Sequence, residues 1–248
     1  YIKEGVEHFY LLNNNSSDNF MEIINKYSNY IDLFEATENC QQPKHLNSKL
    51  ELIKSETKWI ISCDLDEFLF SKEDYKTIPD VINKFNSQYD NLGLIRIPWF
   101  IFNSNGHIEQ PKYVIPSFTN RKDYSKNNVG HPCKWVANTE FLKEYEVCWA
   151  KTSGHPILSN GEHDKNVFIP KHRKIMITNN DNDDLLQLNH YVLQSKNWFF
   201  EVKNTRGDVR YTEKEWGNFR DEKYFKKYDN EHNGYTDELL KNKKYPTV

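Results

Sequence analysis

No stretch of this chain approaches the roughly 20 consecutive apolar residues that cross a bilayer, so no spanning helix is expected. Its four cysteines, Cys40, Cys63, Cys133 and Cys148, include no Cys-x-x-Cys pair, which argues against a structural zinc site. Charge of one sign is also missing. Thirty-three Lys and Arg against 36 Asp and Glu leave a formal net charge of −3, so there is no basic field to gather nucleic acid or acidic lipid. Internal repeats and Pro/Gly/Ser linkers are absent, and one domain over residues 1–248 is expected. Tyr1–Gly5 carry neither an initiator Met nor an apolar stretch, so no secretory leader is expected here.

Aromatic residues are plentiful. Only 37% of the chain is hydrophobic, but 15 Tyr, 15 Phe and 6 Trp supply large apolar areas that tolerate a wet edge. A chain of 248 residues can bury a substantial core. The basic segments Lys223–Lys227 and Lys241–Lys244 lie among acids and Asn and read as solvated helix faces. Cys133 and Cys148 read as reduced thiols.

Along the chain, His8–Leu12 reads as a strand that ends in the polar cluster Asn13-Asn14-Asn15-Ser16-Ser17-Asp18, a loop with a helix N-cap at its end. Phe20, Ile23, Ile24, Tyr27 and Ile31 then recur at helical spacing. Ile31–Phe34 is a second strand and Leu46–Ser55 a second helix. Trp59–Cys63 is a short continuous apolar run, typical of a strand buried on both faces. Thr77-Ile78-Pro79 opens a helix with Pro in its first turn, and Leu92–Phe100 is strand-like. This alternation predicts an α/β domain with a mainly parallel central sheet flanked by helices. Beyond about Asn103 the pattern weakens. Lys134–Ala137, Glu146–Lys151, Lys174–Ile177 and Leu185–His190 read as short strands, and Ser195–Arg206 and Glu213–Tyr228 as helices in an irregular C-terminal third.

The chemistry concentrates at Asp64-Leu65-Asp66. Ligands in open α/β sheets bind beyond the carboxyl ends of strands, and two carboxylates one residue apart offer oxygen donors there to Mg²⁺ or Mn²⁺. Apolar residues flank them on both sides, where unpaired carboxylates are costly. A diphosphate would complete such a cation's shell, and the cation would stabilise a departing nucleoside diphosphate. The later cluster Asp181, Asp183 and Asp184 reads as a solvated turn.

Three blocks in order carry a family resemblance. Trp59 to Phe68 resembles the Asp-x-Asp-Glu-Phe signature of glycosyltransferase family 92 and its family-2-like relatives, which have the GT-A fold. His8 to Asp18 resembles their strand and Asn-Ser-Ser-Asp loop. Leu188-Asn189-His190-Tyr191-Val192, with Ser195, Phe200, Lys203, Arg206 and Gly207, resembles their His-Tyr…Lys…Arg-Gly block. The resemblance implies a donor-binding half near 1–100, an acceptor and metal-completing half near 101–210 and a helical tail near 211–248, with the first strand of the full fold lacking. It implies a donor pocket holding Asn14, Asp18, Asp64, Lys134, Lys203 and Arg206, with Asn14 standing where an acid is common. It implies Mn²⁺ or Mg²⁺ held by Asp64, Asp66 and His190. The donor would be a nucleoside diphosphate sugar, a UDP-sugar by preference, and the acceptor a hydroxyl of a glycan, protein or lipid.

An inverting transfer needs a general base for that hydroxyl. Gly154 to Asp164 gathers two His and two acids in what reads as a loop bounded by Gly and Pro; His155 is the first candidate contact, and Glu162 and Asp164 are the carboxylate candidates. Trp99, Phe100, Phe102 and Trp135 suit sugar stacking, though core packing is favoured for Trp99. The rival readings are a degenerate scaffold that binds a glycan or nucleotide without turnover, and a metal phosphodiesterase, which wants more ligands than these. Two overlapping N-glycosylation sequons at Asn14 and Asn15 would obstruct the donor loop. That favours a cytoplasmic setting, with a Golgi-lumenal one following if a membrane anchor had been removed.

Overall fold

The computed structural model describes residues 1–123, 130–145, 148–164, 174–176, 184–205, 220–231 and 234–246. The first strands are β1 (Phe9–Asn13) and β2 (Ile31–Glu35), and helix α1 (Met21–Lys26) lies between them. They form a two-stranded parallel sheet. Helices α2 (Gln42–Ser48) and α3 (Leu50–Glu56) lead to β3 (Trp59–Ile61) and β4 (Glu67–Ser71), and helix α4 (Ile78–Asn86) leads to β5 (Leu92–Ile101). Then follow β6 (Asn120–Arg121), β7 (Gly130–Asn138), β8 (Leu142–Tyr145), β9 (Ala150–Thr152), β10 (His155–Leu158), β11 (Lys174–Met176), β12 (Leu186–His190) and β13 (Tyr235–Thr236).

β5 is the axis of the main sheet. Along one edge it pairs with β7, antiparallel, from Leu94 to Pro98. The other edge is shared end to end: parallel β10 covers Leu92 to Arg96, and parallel β12 covers Trp99 to Ile101. Pro98 falls in the gap between those two neighbours, a place that tolerates a residue without an N–H. β7 carries β3 and β11 on its far side, and β4 closes the sheet against β12.

The parallel expectation needs correcting. β3, β5, β10, β11 and β12 run one way, but β7, set between them, and β4, at the edge beside β12, run against them, so antiparallel ladders predominate among the described residues. Apolar periodicity carries no strand direction, and β4, read in the sequence as a mere apolar flank, is a strand in its own right. The sheet is mixed α/β.

Helix α4 begins with a capping box, the Asp80 carboxylate accepting from the Thr77 N–H at 2.8 Å, and Pro79 occupies its first turn. Its inner face, Ile78, Val81, Ile82 and Phe85, packs on Leu69, Ile95, Ile97, Val136 and Leu188. On the opposite face of the sheet, Leu50 of α3 packs with Leu94, Trp135, Ala137, Leu142 and Tyr145. Truncating one such fully buried aromatic costs about 3–5 kcal/mol. The expected Leu46–Ser55 helix is two helices meeting at Lys49. Helix α1 is helical as its spacing predicts, but it buries no residue, and Ile23 is 61% exposed. The basic Lys223–Lys227 segment lies in the helix Glu222–Glu231, which buries only Phe225. Asp184 is not a solvated turn residue: it is buried and accepts from the Ser159 hydroxyl at 2.6 Å. Asp181 and Asp183 lie outside the described residues. No described helix is long and apolar enough to cross a membrane.

Candidate active site

The carboxyl ends of β3, β5 and β12 converge, and the turn Asp64-Leu65-Asp66 links β3 to β4 there. The turn closes on itself, the Glu67 N–H donating to the Asp64 carbonyl at 3.1 Å and the Asp64 N–H to Glu67 Oε2 at 2.9 Å. Leu65 at the tip is 91% exposed.

Each aspartate faces a lysine. Lys134, from β7, is buried and places its Nζ 3.1 Å from Asp64 Oδ2 and 3.2 Å from Glu67 Oε2. Burial works against its ammonium, but the Glu67 and Asp64 carboxylates outweigh that and hold its pKa above the ordinary value. Gln42 of α2 donates to Asp64 Oδ1 at 3.1 Å. Burial pushes Glu67 up to about 7, against the pull of Lys134 and with the push of Asp64.

Asp66 is held by the late part of the chain. Lys203 donates to its Oδ2 at 2.6 Å, and His190 Nε2 lies 3.6 Å from its Oδ1. Burial disfavours its charge, yet His190 and Lys203 prevail and hold the carboxyl well below the usual range. The Tyr191 N–H donates to the Asp66 carbonyl at 2.9 Å, tying the turn to the end of β12. His190 lies opposite Glu67 in the β4–β12 ladder, and its ring meets Trp99 edge to face at 4.5 Å. Its Nδ1 is buried without a hydrogen-bond partner among the described residues, as are Glu67 Oε1 and Trp99 Nε1. Burial, reinforced by Glu67, pushes the Cys63 thiol inside the motif up to about 12.

The donors suit a hard or borderline divalent cation in kind, two carboxylates and an imidazole. Among the described residues, however, no three His, Cys, Asp or Glu side chains converge as a ligand group. Lys134 and Lys203 hold the two aspartates from different sides. Asp64 and Asp66 alone would leave most positions of a cation such as Mg²⁺ to water or ligand oxygens.

The structure thus gathers Asp64, Asp66, Lys134, His190 and Lys203; Arg206 lies outside the described residues. Asn14 and Asp18 sit on the loop after β1. Asn14 Nδ2 donates to the carbonyls of Ala36 and Glu38, Asn15 Nδ2 to that of Thr37 at 3.0 Å, and Asp18 is exposed. The loop is thereby stitched to the segment that continues into α2, which carries Gln42 to Asp64.

The three candidates for the base stand elsewhere. His155 pairs with Leu92, whereas His190 pairs with Ile101, so about 30 Å of strand separates them. His155–Leu158 is a strand, not the loop that its Gly and Pro suggest. Asp164 is not a solvent-facing carboxylate: it forms a buried ion pair with Arg96 Nη1 at 2.7 Å. Glu162 is exposed on the turn after β10. Phe100, Phe102 and Trp135 are core residues, and Trp99 is half-buried beside His190. Cys133 and Cys148 are thiols. Two members of the cluster have no role assigned from the sequence, although Glu67 lies inside the quoted motif. Gln42 gives no signal there, whereas Glu67, an acid pressed between apolar residues within the motif, does.

No curated protein matches the chain. The model of glycosyltransferase family 92 matches residues 1–233. A match over nearly the whole length, with the site built from three separate blocks inside it, leads to one conclusion: the chain belongs to glycosyltransferase family 92.

Proposed function

We propose that this glycosyltransferase moves a sugar from a nucleoside diphosphate sugar, preferentially a UDP-sugar, to a hydroxyl of a glycan, protein or lipid. Asp64 and Asp66 would hold Mn²⁺ or Mg²⁺, with His190 the nitrogen donor beside them. The observation that carries the reading is Asp66, kept ionised by His190 and Lys203 at the carboxyl ends of three strands. When bound, the cation supplies Lewis-acid stabilisation to the departing diphosphate. Lys203 presents a positive charge next to the same carboxylate, suited to diphosphate oxygens. Lys134, buried beneath Asp64, fixes that carboxylate's direction with Gln42, and the ordered Asn13–Asp18 loop suits the base and ribose. His155, Glu162 and Asp164 have no part in the transfer in this reading: His155 stands at the amino end of β5, Asp164 is committed to its buried pair with Arg96, and Glu162 is exposed on the turn after β10.

The test is donor hydrolysis and transfer by Asp66→Ala in Mn²⁺. The reading requires loss of both with the circular dichroism of the fold retained; full activity would refute it.

A second reading, a binding module without turnover, draws on the Asn14 amide, which is engaged by Ala36 and Glu38 backbone carbonyls. Such a module would show no Mn²⁺-dependent heat with UDP or GDP, whereas the transferase would show it with at least one.

A further inference from the structure

The loop that the transfer chemistry does not use has a construction of its own. His155 opens β10 and His163 follows the turn Ser159–Glu162, so the two lie diagonally across a hairpin whose strands meet at Ile157 and His163. His163 Nδ1 and His155 Nε2 share a hydrogen bond at 3.2 Å, whose proton a bound ion would displace. Two nitrogens each 2.0–2.1 Å from a tetrahedral zinc ion are separated by about 3.3–3.4 Å. The observed spacing is therefore close to the bite of a two-imidazole chelate.

The frame beneath the pair is rigid. The Leu158 N–H donates to the Glu162 carbonyl at 2.8 Å and the Asp164 N–H to the Pro156 carbonyl at 3.0 Å. Gly161 has φ +89, and a Cβ there would press on Phe85 at 2.9 Å. The Tyr89 hydroxyl also donates to the Gly161 carbonyl. On the other side Gly154 packs directly on Gly93, where a Cβ would come within 2.7 Å of its Cα. The Tyr89 ring stacks on His155 at 5.0 Å and fixes its plane. Buried Asp164, held by Arg96, anchors the hairpin next to His163. The ligand pair itself is open, His163 being exposed and His155 half-exposed. Burial, and then the charge of His163, lower the His155 pKa, and a neutral imidazole is the form that binds metal.

We propose that His155 and His163 form a surface site for a divalent transition metal of the zinc class, two imidazole nitrogens holding the ion and water completing its shell. The site is independent of Asp64 and Asp66 and prefers zinc over magnesium, because nitrogen donors select borderline ions.

Calorimetric titration of tag-free protein with ZnCl₂ in excess MgCl₂ tests this. One zinc ion per chain is expected, weakened roughly tenfold or more by H155A or H163A and lost in the double variant, with D66N unaffected. Electron paramagnetic resonance of the Cu²⁺ form should show two coordinating nitrogens, a readout that needs no variant. Absence of zinc binding by the wild type, or binding that survives in the double variant, would overturn the proposal.

Discussion

The two ends of β5 carry different chemistry on one continuous strand. At its carboxyl end three acids, two lysines and a histidine crowd into a half-buried cluster, and nearly every charge has a partner of opposite sign. At its amino end two histidines meet on the surface, while the charges beneath them are locked in the Arg96–Asp164 pair. Burial accounts for the difference. Carboxylates removed from water demand cations, whether lysine or metal, so the buried end is where a charged diphosphate has something to gain. The exposed end has no such need, and its two histidines contact each other.

The contrast can be broken in several ways. Asp66→Ala should have the largest effect, a loss of transfer of roughly a hundredfold or more, since it removes the best-held carboxylate of the cluster; steady-state kinetics in Mn²⁺ read it directly. Lys134→Met should unfold more easily in urea, by about 3 kcal/mol, because it strands Asp64 and Glu67 in a buried site. That figure sits at the low end of the expected range because Glu67, pushed up to about 7 by burial, readily takes up a proton. Lys203→Met should lower kcat/KM by roughly tenfold, or about 1.4 kcal/mol, and should also cost stability, because it leaves the largely buried Asp66 carboxylate to His190 alone among the described residues. At the other end, H155A and H163A should each keep transfer within about twofold of wild type, surface changes away from a site being near neutral. The smallest effect is a titration. By NMR the His155 ring should protonate below the ordinary 6.5, because burial and His163 both disfavour its charge. H163A, which removes the second cause only, should move that midpoint upward.

The carboxyl end was the more legible in sequence. Trp59–Ile61 announces a strand, although it is half-buried rather than buried on both faces; Asp64 and Asp66 follow it, and His190 with Lys203 stands out through the family block. Helix α4 is legible for a local reason, its Thr77 and Asp80 cap together with Pro79. What could not be read depends on distant partners. A lysine inside the apolar strand β7 looks misplaced until Asp64, 70 positions away, is seen to neutralise it. Arg96 is the same case, its partner Asp164 lying 68 positions on. β10 is hidden by Gly154 and Pro156, both turn formers by type, although Gly154 here permits close packing against Gly93. Strand direction is not legible because an apolar pattern is the same whichever way a strand runs, and it is β7 inside the sheet and β4 at its edge that turn a run of like-directed strands into a mixed sheet.

The most direct test of the account is a calorimetric titration of UDP into the wild-type protein, once with Mn²⁺ and once with EDTA, repeated with D66A. The account predicts binding in Mn²⁺, none in EDTA, and none in D66A under either condition. Equal binding in EDTA, or undiminished binding by D66A in Mn²⁺, would contradict it.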